Sequence, residues 1–255
     1  WLLELNFDDL GSFATGLGVP WSYNVPGEFT LRARPSENDT SPFHVQAELY
    51  TKELDVKVTG EATGFDAQAG FELTYSIVSS GAIEEVEWFG VDISRVGRFQ
   101  VEGSATRIVG DKQPVTGSAR MVADRLGSVS AKGVFGLPPL GDSKISVTIE
   151  AESMADVAAL GSFTLADVGP FRGEAIIHLM PEQILLEDIH LRAGDNDLHG
   201  SIAYRSAANN GGRAKIDGQL RSSYLNVNEL FPPPKRKFLF GAELLPVQWA
   251  RTHDV

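Results

Sequence analysis

The chain has no cysteine among its 255 residues, which rules out disulfides, thiolate catalysis and cysteine-ligated zinc. Basic residues are scarce: Lys and Arg number 22 against 34 Asp and Glu, for a net charge of −12. A nucleic-acid platform needs clustered cations facing phosphates, so no nucleic-acid partner is expected, nor direct docking on an anionic membrane surface. No window holds about 18 uncharged apolar residues, the minimum for a bilayer-spanning helix. The opening segment WLLELNFDDL lacks a basic leader region and a small-residue cleavage site. GxSxG elbows, Walker loops, dinucleotide fingerprints, HxH and HExxH are all missing. The five histidines, His44, His178, His190, His199 and His253, read as solvated or strand-edge residues, and no metal or cofactor is expected.

What the sequence does have is alternation. Phe43, Val45, Ala47 and Leu49 alternate with His44, Gln46, Glu48 and Tyr50. The same two-residue period runs through Leu54, Val56 and Val58, through Phe71, Leu73, Tyr75 and Ile77, and through Ile145, Val147 and Ile149. It returns in Leu198, Gly200, Ile202 and Tyr204, and in Ala214, Ile216, Gly218 and Leu220. One apolar and one polar side per segment is the mark of antiparallel strands with a single buried face. GFDAQAG, GLPPLGD, AGDND and SAANNGG punctuate these segments as turns. Helical signals are short. SMADVAALGSF at 153–163 predicts about two turns, with Ser153 as N-cap and Asp156 three residues on; YLNVNELF at 224–231 predicts one more before Pro232.

Internal similarity predicts three diverged units at about 1–90, 91–152 and 153–230. DDLGSF at 8–13 matches AALGSF at 158–163, each followed by a Gly-Glu strand, PGEFTLRA at 26–33 and RGEAIIHL at 172–179; ISRVGRFQVEGSAT at 93–106 is a weaker copy. Residues 231–255 read as a Pro-rich, basic connector, PPPKRK, leading into a further strand, and both ends of the chain look cut from a longer protein.

Three clusters suggest chemistry. GDND at 194–197 has the look of a calcium loop, but no Glu follows at the required spacing, so it reads as a turn. Glu84, Glu85 and Glu87 beside Trp88 resemble a glycosidase patch, against the simpler reading of a charged strand edge. Trp21, Tyr23 and Trp88 would suit a sugar platform on a carbohydrate-binding or adhesive β-sandwich, the rival function. The inventory supplies no catalytic group, and a protein without enzymatic activity is expected. The apolar side of the strands has two possible fates, burial under a second sheet or exposure along a groove, and the residues by themselves do not choose.

The C-terminal half resembles the AsmA-like family of Gram-negative envelope proteins, which includes TamB-type and YhdP-type relatives. The resemblance rests on DVGPFRGEAIIHLMPEQILLEDIHLRAGDNDLHGSIAYRS at 167–206, RAKIDGQLRSSYLNVNELFPP at 213–233 and KFLFGAELLPVQWARTHDV at 237–255. Leu186, Asp188 and Ile189 echo the L-x-D-I element; Leu198, Gly200 and Ile202 match L-x-G-x-I; Ile216, Gly218, Leu220, Ser222 and Leu225 match I-x-G-x-L-x-S-x-x-L. Asn226, Gly241-Ala242-Glu243 and His253 depart from the family pattern.

The resemblance implies a mostly β fold: an antiparallel meander of diverged repeats forming a curved open groove (a repeating β-groove, or β-taco) with one or two short helices. It also implies a non-enzymatic, periplasmic segment tethered to the inner membrane through a part not in this chain. Its partner would be a phospholipid or other acyl lipid, shielded on its way to the outer membrane during envelope biogenesis. The groove would be lined by Val45, Val56, Leu73, Val147, Ile149, Ile177, Ile189, Leu191, Ile202, Tyr204, Ile216 and Leu220.

Overall fold

A computed structural model describes residues 1–8, 25–35, 43–64, 68–81, 87–88, 91–110, 113–136, 142–160, 164–181, 183–206 and 214–231. Thirteen strands form one antiparallel sheet in simple meander order. They are β1 (Leu2–Phe7), β2 (Gly27–Pro35), β3 (Phe43–Thr51), β4 (Leu54–Ala62), β5 (Phe71–Ser79), β8 (Phe99–Arg107), β9 (Val115–Ala123), β10 (Gly127–Phe135), β11 (Ser143–Ala151), β12 (Phe171–Met180), β13 (Gln183–Ala193), β14 (Asn196–Arg205) and β15 (Lys215–Arg221). Between β5 and β8 lie two short strands paired only with each other, β6 (Glu87–Trp88) and β7 (Val91–Asp92), and a 3₁₀ turn at Ile93–Val96. Two short helices complete the described chain, α1 (Met154–Leu160) and α2 (Val227–Leu230). The sheet is open, with β1 and β15 at its edges.

The elements recur at a fixed spacing. β2, β8 and β12 begin at residues 27, 99 and 171 (99 − 27 = 171 − 99 = 72), and β5, β11 and β15 begin at 71, 143 and 215, the same interval. Buried residues repeat with it: Val96 and Val168, Leu54 and Leu126, Ala158 and Leu230. The spacing equates Gly27 with Phe171, two positions before the Gly173 that the sequence match pairs with it. A slip of two keeps every side chain on its own face, so alternation cannot register it.

The long connections after β5 and β11 leave and re-enter at the same ends of their strands, and α2 follows β15 there too. That lower rim is where the core sits. Ala151, Val168, Phe171, Ala193 and Leu230 form one buried cluster; Val96, Ala123 and Leu126 form another. Val157 of α1 packs against both, so the helix ties the clusters together. The Ser153 hydroxyl caps the helix, accepting from the Asp156 amide at 3.3 Å and donating to the Asp156 carboxylate at 2.9 Å. Replacing Ser153 with alanine removes that cap and is expected to cost about 1 kcal/mol. The thermal midpoint should then fall by about 2–4 °C, measurable by calorimetry on a domain of this size.

Candidate functional site

Residues opposite one another in a β ladder point to the same side of the sheet. Following the pairings from β1 to β15 therefore assigns each side chain to a face. One face carries Leu3, Phe29, Val45, Val58, Leu73, Val101, Met121, Val129, Val147, Ile177, Leu186, Ile202 and Ile216, one from each strand. The other carries the charges: Arg172 lies 3.2 Å from Glu150 and 2.7 Å from Glu174, Lys215 2.9 Å from Asp217, and Lys57 3.3 Å from Asp55. Such exposed pairs add little stability but keep the outside wet.

The structure puts all twelve sequence-predicted lining residues on the apolar face. Val45, Val56, Leu73, Val147, Ile149, Ile177, Leu191 and Ile202 are partly buried; Tyr204, Ile216 and Leu220, near the β15 edge, are exposed. Ile189 is buried, and Ile149 and Leu191 pack against the lower-rim cluster, so these three belong in part to the protein's own core. Among the described residues no second sheet covers the apolar face. Its side chains are nevertheless less exposed than those across the sheet, as on the inside of a curl. Twisted open sheets of more than about ten strands curl, split into two packed sheets or flatten. The face runs about 58 Å across the strands, at about 4.8 Å per strand, and each nine-residue strand is about 30 Å long.

Keeping this face apolar takes a local device in β13. Strict alternation would put Leu186 and Ile189 on opposite sides. The pairing shifts between Leu186 and Ile189, and Asp188 adopts a left-handed backbone with φ of 48°. This bulge returns both residues to the apolar face, and Asp tolerates the conformation better than a branched residue. Tyr75 is the largest polar residue lying on the face away from its edges. Its hydroxyl donates to the Ser118 carbonyl at 3.1 Å, and burial pushes its phenol pKa up.

GDND is the turn expected: Gly194, with φ of 58°, and Asp195 link β13 to β14. What the sequence did not reveal is the work of the next two residues. Asn196 is buried, accepts from the Asn226 amide at 2.6 Å and donates to Glu229 at 3.2 Å. The Asp197 carboxylate accepts from the Ser222 hydroxyl and the amides of Ser223 and Tyr224. Together they fasten the segment leading into α2 to the rim. The Tyr224 amide, helped by Ser222, Ser223 and His199, holds the Asp197 carboxyl well below the ordinary carboxylate range, against partial desolvation. That stabilisation is present above the ordinary value of 3.8 and is lost only as pH falls through the lowered one.

Concavities lie elsewhere. A cleft of about 950 Å³ at the lower rim mixes Val168 and Phe171 with Glu150, Asp167, Arg192 and Glu229. A smaller one on the charged face holds His190 and His199, whose Nδ1 atoms are 2.8 Å apart. Among the described residues no three His, Asp or Glu side chains are grouped to hold a metal, and no helix is long and apolar enough to cross a membrane. Glu87 and Trp88 form strand β6, while Glu84, Glu85, Trp21 and Tyr23 lie outside the described residues, as does the connector from 232 onward. No family model, curated protein or solved structure matches the chain.

Proposed function

We propose that this chain is a non-enzymatic lipid conduit whose apolar face shields acyl chains from water. The observation that carries the reading is the composition and exposure of that face. Leaving aside the bulged Asp188, its described residues include one charged side chain across thirteen strands, and among the described residues no second sheet covers it. A folded protein ordinarily buries an apolar surface of this extent or uses it. Each methylene moved from water to such a surface is worth about 0.8 kcal/mol, so a chain of about ten recovers about 8 kcal/mol. The trough is about twice as long as the hydrocarbon core of a bilayer is thick, which is about 30 Å. A conduit needs no catalytic step. The resemblance to AsmA-like proteins adds a setting: the periplasm, an inner-membrane tether outside this chain, and phospholipid moving toward the outer membrane.

The two sides of one strand supply the test. Photo-crosslinking residues placed at Val147 and Ile202 should label phospholipid in the purified protein. The same residues at Thr148 and Ser201, their neighbours on the other face, should label none. Equal labelling at both parities ends the conduit reading.

A further inference from the structure

Apart from the bulged Asp188, the one charge that the described residues place on the apolar face is Arg107, the last residue of β8. It stands at the upper rim, opposite Phe71 and beside the start of β9, and is only 8% exposed. Among the described residues a single acceptor serves its guanidinium: Nη2 donates to the Gly110 carbonyl at 3.3 Å. Nε is buried without any acceptor. No carboxylate among the described residues pairs with it.

A buried, unpaired cation is costly, and the fold does not require one here. The 72-residue spacing places Pro35 and Leu179 at the equivalent positions, on strands built the same way. The middle repeat therefore carries a guanidinium where its neighbours carry apolar groups. Below it on the same face run Ala105 and Val101, with Leu73 alongside. A cation at the upper rim, at the head of an apolar surface, matches a molecule with an anionic head and apolar tails. The planar fork of arginine pairs with two oxygens of one phosphate, which a lysine ammonium does not reproduce.

We infer that Arg107 is a headgroup site selecting phosphate-bearing lipids, its guanidinium on the phosphate and the tails on the apolar face below. The inference rests on the conduit reading and adds to it the side chain that contacts the headgroup. It is tested by offering the delipidated chain dioleoyl phosphatidic acid or dioleoylglycerol, which share tails and differ in the phosphate, and counting retained lipid by native mass spectrometry. The wild-type protein should retain phosphatidic acid at least tenfold over dioleoylglycerol. Arg107→Leu, which installs the residue of the third repeat, should bring the two lipids level without losing dioleoylglycerol, and Arg107→Lys should fall between. Arg107→Gln gives the same readout if the leucine variant does not fold. Equal retention by the wild type, or a preference that survives in Arg107→Leu, overturns the headgroup site and leaves the conduit standing. Retention of neither lipid by the wild type removes both. Inorganic phosphate separates the sources: calorimetric binding as tight as that of the lipid, lost in Arg107→Leu, would mark a free-phosphate site and overturn the lipid assignment.

Discussion

Val147→Glu should empty the trough while leaving the sheet folded. Val147 lies mid-strand on β11, facing Ala131 on one side and Ala175 on the other, so its branched side chain stands above two small neighbours. It is only partly buried, and in the empty protein a carboxylate there keeps much of its water. Loading a lipid would strip that water away. An unpaired carboxylate pressed against hydrocarbon costs several kcal/mol, and each 1.4 kcal/mol is a factor of ten in affinity. Retained phospholipid should therefore fall by about a hundredfold or more. Ser130→Glu, on the charged face opposite Arg120, should change nothing. Far-UV circular dichroism of both variants should match the parent. Undiminished retention in Val147→Glu would mean that lipid, if bound at all, is held elsewhere.

The sides of the strands were legible because alternation is a local property. Side chains of a strand point to opposite faces by geometry alone, so Val45, Leu73, Val147 and Ile202 could be assigned without knowing their neighbours. That reasoning is insensitive to register in steps of two, so it assigns the same faces whether Gly27 is matched to Gly173 or, by the 72-residue spacing, to Phe171. It gave no warning at Asp188, where a bulge reverses the parity; Leu185 and Leu186 both look apolar in sequence, and only the pairing with β14 separates them. The segment FQVEGSATR hid Arg107 for a different reason. Its apolar side is Phe99, Val101, Gly103 and Ala105, too small to look like a buried face, so the arginine that closes the series drew no attention. The rim was harder still. Asn196 and Asp197 act on residues about 30 positions away, and nothing local marks a turn as a fastening point. Whether the apolar face is covered depends on where the helices go. Those among the described residues gather at one rim, because the long connections after β5 and β11 begin and end there.

Glycines show the same limit, and two of them separate it cleanly. Gly103 and Gly117 both lie in interior strands on the apolar face, each between flanking strands, and the sequence treats them alike. A Cβ on Gly103 would come within 2.2 Å of the Ser118 carbonyl oxygen and 2.4 Å of the Tyr75 ring. The tyrosine could swing aside, losing its hydrogen bond, but the carbonyl is main chain in the adjacent strand, so the β8–β9 ladder would have to part. A Cβ on Gly117 meets nothing nearer than the Ser104 carbonyl at 3.0 Å, which a small shift relieves. Gly103→Ala should therefore destabilise the protein by about 3–5 kcal/mol, the range of substitutions that force the backbone or the core to rearrange. Gly117→Ala should cost about 1 kcal/mol or less, offset in part by the lower entropy of the unfolded chain. Urea unfolding followed by circular dichroism distinguishes the two. Combining Gly103→Ala with Tyr75→Ala should not rescue it, because the clash with Ser118 remains. A full rescue would instead place the obstruction in the aromatic ring, with a more yielding ladder between β8 and β9 than the pairing implies.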